Sequence, residues 1–172
     1  MKLYAKKVPD IAKAIIESLC NDGDIDVDPN NRAESEQDLV SIMTEYLRRD
    51  QALRNQVRET MAEESIAYQN YGKVRNKIAE EWGHALGEDV EKFLARQIIE
   101  NFMISRFVDE VYTDDTILWR KILDILRSFD VDEQALRDEA RAHLKNMEEG
   151  TVDFEIAMEK SLRDVKKRKG LL

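Results

Sequence analysis

Glu81 and His84 stand at the Glu-x-x-His spacing that sets a carboxylate and an imidazole on one helix face, the arrangement used in di-iron bundles. Such a centre wants a second Glu-x-x-His and two further inward glutamates. The other histidine, His143, has Ala140 three residues before it, so the set is incomplete. Gly83 sits inside the pair, where a helix is expected to end, and the pair reads as a solvated helix terminus. The run Asp22 to Asp28 suggests calcium. A calcium loop needs Gly at its sixth position and Glu at its twelfth. Starting at Asp22 gives Val27 and Ala33, and starting at Asp24 gives Pro29 and Ser35. Both registers fail, which leaves aspartates pointing outward from a strand whose Ile25 and Val27 face inward.

Cys20 lies on an apolar helical stripe and reads as a small core residue, not a nucleophile. Being the single cysteine, it excludes an internal disulfide and suits a reducing compartment. No Gly-rich phosphate loop, Walker lysine or G-x-S-x-G elbow occurs. Catalysis would fall to carboxylates, lysines or tyrosines, and no spacing singles out a pair. The expectation is a protein that is not an enzyme and uses no cofactor or metal.

The basic C-terminal segment is the least ordinary chemical feature: Lys160, Arg163, Lys166, Lys167, Arg168 and Lys169, with Asp164 the one acidic residue among them. Cations there complement a helix dipole, and they would also suit a phosphate backbone or an acidic partner. Lys2, Lys6 and Lys7, with Tyr4, would join them if the termini are neighbours. The acidic stretch Asp22 to Asp38 is an alternative partner within the chain for either cluster.

The elements behind these residues are helical. Pro9 suits a first helical turn. Val8, Ile11, Ala12, Ile15, Ile16, Leu19 and Cys20 then recur at three and four. Asn21-Asp-Gly23 ends that helix, and Asp24 to Val27 alternates like a short strand. Ser35 with Asp38 resembles a capping box for a long helix carrying Leu39, Ile42, Met43, Tyr46, Leu47, Leu53, Val57 and Met61. A third helix from about Ser65 carries Ala67, Tyr71, Val74 and Ile78 and ends near Gly83. Val90, Phe93, Leu94, Ile98, Phe102 and Met103 stripe a fourth, and Phe107 to Val111 is a second candidate strand. Ile117, Leu118, Ile122, Ile125 and Leu126 follow, then Leu136, Ala140, Leu144 and Met147 behind an Asp130–Glu133 cap. Phe154, Met158, Leu162 and Val165 stripe the last helix.

Three ordered echoes point to a duplication. QALRNQVR at residues 51–58 returns as QALRDEAR at 134–141. Ile15-Ile16-Glu17 returns as Ile98-Ile99-Glu100, and Met61 to Tyr68 as Met147 to Phe154. The second copy carries an insertion of about one helical turn, Phe129 to Asp132. The reading is a mainly α fold of six to seven helices in two pseudo-symmetric repeats, residues 1–84 and 85–172. The two pack as one body, with their short strands pairing as a small two-stranded β element.

Composition agrees: 42% hydrophobic and 37% charged over 172 residues, with two prolines and six glycines. The net charge of −9 opposes non-specific adhesion to nucleic acid or anionic membrane. With no signal peptide and no apolar run of about 20 residues, the chain reads as cytoplasmic.

Several elements carry a family resemblance: Met1-Lys-Leu-Tyr-Ala-Lys-Lys-Val-Pro9 with Ile11-Ala-Lys13, Gly23 to Val27, Glu45-Tyr-Leu-Arg48 and Ser105 to Val111. Asn146 to Thr151 and Arg168 to Leu171 complete the set. Together they resemble an uncharacterised bacterial family, domain of unknown function number five hundred and seven. The resemblance implies a bacterial cytosolic protein of this length and implies no activity. A departure is Phe154, where the family often has Trp. The function expected is a non-catalytic interaction protein binding another protein or itself as a homodimer. The alternative is an RNA- or ribosome-associated factor using the basic terminal segments.

Overall fold

The computed structural model describes residues 1–144 and 147–172; Lys145 and Asn146 lie outside them. Among the described residues the fold is mainly α, with helices α1 (Val8–Asn21), α2 (Arg32–Glu63), α3 (Tyr71–Trp82), α4 (Asp89–Ile104), α5 (Asp115–Ser128), α6 (Glu133–Ala142) and α7 (Val152–Arg168). Strands β1 (Ile25–Asp26) and β2 (Glu110–Val111) complete it. Pro9 sits in the first turn of α1 as the sequence predicts. The strands pair antiparallel, Ile25 opposite Val111 and Asp26 opposite Glu110. They are shorter than the predicted runs, and Phe107 and Val108 lie before β2.

Three apolar clusters organise the helices. The central one joins α1, the first half of α2, α4 and α5, with Ile15, Ile16, Leu39, Met43, Leu94, Ile98, Leu118 and Ile122 all fully buried. Residues from both halves of the chain therefore share one core. Two satellites flank it. Leu53, Val57 and Met61 at the far end of α2 pack with Ile78 and Ala79 of α3. Leu136 and Ala140 of α6 pack with Val165, Leu171 and Tyr4. Each fully buried Ile or Leu withdraws enough apolar surface to contribute about 1.5–3 kcal/mol.

The helix starts correct the sequence reading: α3 begins at Tyr71 and not near Ser65, which has a positive φ of 53° in the turn that closes α2. Ser35 does not cap α2: the helix begins one turn earlier, and the Ser35 hydroxyl donates back to the Arg32 carbonyl. Asp38 instead accepts from Ser105 at 2.7 Å, tying α2 to the end of α4. The cap of α6 is Asp132, which accepts from the Ala135 amide, and not Asp130. Met103, Ile117 and Met147, predicted inside, are exposed. Met103 and Ile117 lie on the solvent side of their helices, and Met147 lies beyond the end of α6. Cys20 is half-buried against the central core, and burial pushes its thiol pKa up.

Helix ends are equally regular. At the end of α3 the Gly83 amide donates to the Glu80 carbonyl and the His84 amide to that of Ala79. This is the paired closure that needs a left-handed residue, supplied by Gly83 at φ +59°. The same pair of hydrogen bonds closes α1, α2 and α7, bringing Asp24, Ile66 and Leu171 back onto the body.

Candidate functional site

The termini are neighbours. Tyr4 is buried against Val165 and Leu171, and its hydroxyl donates to Glu133 at the start of α6. Burial first, then that hydrogen bond, pushes the phenol up to about 12. Lys166, only 8% exposed, reaches the same carboxylate at 3.2 Å and lies over the Tyr4 ring. Lys2 approaches both from outside, 3.5 Å from Glu133. Burial raises the Glu133 pKa, but the hydrogen bonds from Tyr4 and Lys166 outweigh it and hold the carboxyl below its ordinary value. Arg168 and Lys169 both pair with Glu139 of α6.

Part of the basic segment thus fastens α7 to α6. Lys6, Lys7, Lys160, Arg163 and Lys167 form no ion pair among the described residues. The acidic stretch serves neither cluster: Asp22 and Asp24 pair with Lys121 of α5, at 2.8 and 2.6 Å.

On α7, Val152, Ile156, Lys160, Arg163 and Lys167 follow one another at steps of four, four, three and four. That spacing lines them along a single helix face. All are exposed, Val152 and Ile156 at 74% and 63%. The face is apolar near the N-terminal end and cationic near the C-terminal end, with Glu159 beside it.

A second constellation escaped the sequence reading. His84 is not solvated: its side chain is 2% exposed. It stacks on Tyr46 of α2, ring centroids 4.8 Å apart and nearly parallel. Tyr46 donates to the Ala85 carbonyl and Arg49 to that of Trp82, so the turn after α3 is clamped onto α2. Facing the imidazole Nε2 at 3.5 Å, without a hydrogen bond to it, is Asp50, itself buried, which accepts from Arg54 at 2.6 Å and Arg75 at 3.3 Å. Burial lowers the His84 pKa despite the Asp50 charge, and burial with Asp50 pushes Tyr46 up to about 12. Glu81 stays exposed, so the Glu-x-x-His pair is split by the turn.

A depressed histidine means that the unfolded chain binds protons more readily than the folded one below the ordinary value of 6.5. The stability held by neutral His84 is complete above that value and declines as pH falls through it. The expected slope is at most about 1.4 kcal/mol per pH unit. Thermal melts between pH 5 and 8 should show it, and His84→Phe, which keeps the stacking, should flatten it. A slope unchanged in that variant would contradict the assignment.

Asp50, Arg54 and Arg75 open onto a cleft of about 780 Å³. Its walls come from the second half of α2, the α2–α3 connection, α3 and the N-terminal segment. Cations dominate them: Lys2, Arg54, Arg58 and Arg75 stand against the single carboxylate of Asp50. Met61, Ile66, Tyr68 and Tyr71 line one side, and Tyr46, Leu47 and Val90 are among the other lining residues.

These features define a small, mainly helical protein with two helical hairpins flanking a shared core. No described helix is long and apolar enough to cross a membrane. Over residues 1–171 the chain matches the family described as "Protein of unknown function (DUF507)", and it belongs to that family. Among curated proteins, none matches it.

Proposed function

We propose that the chain is a non-catalytic interaction protein of the bacterial cytoplasm, formed by duplication of one helical unit. It binds an acidic protein segment along the outward face of α7. The observation that carries this reading is the alignment of Val152 and Ile156 with Lys160, Arg163 and Lys167 on one exposed face. Apolar anchors followed by unpaired cations suit an amphipathic helix bearing carboxylates. A second copy of the chain is a poorer occupant, because two such faces meeting antiparallel cover apolar anchors with cations. Duplication is supported by position. Asp50 and Glu133, Leu53 and Leu136, and Val57 and Ala140 recur at one common separation, and each pair occupies like places in the two satellite hairpins.

An RNA- or ribosome-associated role is the second reading. It is favoured by the packing of Tyr4 on Val165 and Leu171, which brings Lys6 and Lys7 to the same end as the C-terminal cations. Truncating the basic tail is a poor test, since it would remove buried Val165 and Leu171. Charge reversal at Lys160, Arg163 and Lys167 is clean, because these side chains are exposed. Fluorescence anisotropy with an acidic amphipathic peptide should show binding that this triple variant weakens at least about tenfold. Val152→Ser with Ile156→Ser should also weaken it. Tighter, salt-steep binding of a single-stranded RNA that ignores the two apolar substitutions would transfer the face to the second reading. Binding of neither probe would remove both.

A further inference from the structure

We infer that the cleft between α2, α3 and the N-terminal segment binds a nucleotide, its phosphates on Arg54, Arg58 and Arg75 and its ring beside Tyr68 and Tyr71. In a chain of net charge −9, a cationic concavity is a local reversal that needs a cause. Arg54 and Arg58 are four residues apart on α2, a like-charge spacing that weakens a helix unless an anion lies between. Arg54 is tethered to Asp50, whereas Arg58 forms no ion pair among the described residues.

Arg75 spends one nitrogen on Asp50, while its Nε is buried without a partner among the described residues. A guanidinium carries five N–H donors in a planar fork, so Asp50 fixes both arginines and leaves most donors free for phosphate oxygens. Asp50 lies 3.5 Å from the buried His84 imidazole, beside the turn that Tyr46 and Arg49 clamp onto α2.

Bare phosphate would leave most of the space empty, since a volume of 780 Å³ lies within the usual range for small organic ligands. Tyr68 is 83% exposed on the rim, its ring centroid 5.8 Å from that of Tyr71. Exposed aromatics next to arginines offer a flat ring a stacking surface at little conformational cost. Phosphate at one end and a planar ring at the other describe a nucleotide.

Isothermal titration calorimetry on the full chain with ATP and GTP tests this, with pyrophosphate, adenosine and a pentanucleotide RNA as separating arms. At least one mononucleotide should bind more tightly than pyrophosphate or adenosine. Arg58→Gln, an exposed change that leaves the fold intact, should weaken that binding by roughly ten- to a hundredfold. Tyr68→Ala should weaken the nucleotide and leave any pyrophosphate binding unchanged. No binding of ATP or GTP at millimolar concentration, or indifference to Arg58→Gln, would overturn the inference. So would a pentanucleotide that binds more tightly than both mononucleotides, because the cleft would then belong to RNA.

Discussion

Replacing Ile15 or Ile98 by alanine should each lower the unfolding free energy by about 4 kcal/mol, the largest losses expected from single substitutions in this chain. Both side chains are fully buried in the central cluster, Ile15 on α1 and Ile98 on α4. Truncation to alanine removes transfer free energy and leaves a cavity that a four-helix junction closes only in part. For a chain of this size the melting temperature should fall by about 12 °C. The two positions also correspond in the internal echo of the sequence, so their losses should agree within about 1 kcal/mol. Denaturant titration of both variants measures this. A loss below about 1 kcal/mol at either site would mean that the two halves do not share one core.

Asp50→Ala should cost about 3 kcal/mol, although it removes a charged residue from a helix and creates little cavity. Among the described residues Asp50 is the sole carboxylate facing Arg54, Arg75 and the buried His84. Removing one partner of a buried ionic group leaves the others desolvated and mutually repelling, which typically costs 3–5 kcal/mol. Partial exposure of both arginines lets water recover some of that, which places the expectation at the low end. Asp50→Asn keeps an acceptor and should lose about half as much. Chemical denaturation with an unchanged slope would locate the effect in the native state. If Asp50→Ala proved as stable as the parent, the cluster would be a surface ion pair and not a structural centre.

The helices and their buried faces were legible because burial follows the 3.6-residue period. Ile11, Ile15, Leu39, Met43, Leu94, Ile98, Leu118 and Ile122 all lie inside, as their spacing predicts. The first short strand was also readable from the alternation of Asp24 to Val27, although alternation does not say which strand it pairs with. The His84–Asp50 cluster was not, because periodicity describes residues inside a helix and His84 lies beyond one. Gly83 read as a stop sign. It is also the residue that turns the chain back, and the position after such a glycine commonly returns to the helix it has left. Leu171 after Gly170 and Asp24 after Gly23 follow the same rule and are buried too. Asp50 went unnoticed for a related reason: a charged residue in a helix is ordinarily solvated, and nothing local tells of partners far along the chain. Among the terminal cations, sequence alone could not separate Lys166, Arg168 and Lys169, which reach glutamates of α6, from Lys160, Arg163 and Lys167, which do not.

The second half of α2 and α6 correspond in the sequence echo, yet they meet the central core differently. α2 runs unbroken for 32 residues, roughly 48 Å, from the core into its satellite hairpin. On the other side α5 ends at Ser128 and α6 starts at Glu133, with Phe129 to Asp132 non-helical between them. One arm is therefore a continuous helix, and the other is joined by a non-helical link and held to the N-terminal segment through Tyr4 and Glu133. The same four-residue difference makes one hairpin a direct extension of the core and the other an appendage joined by a short link and side-chain contacts.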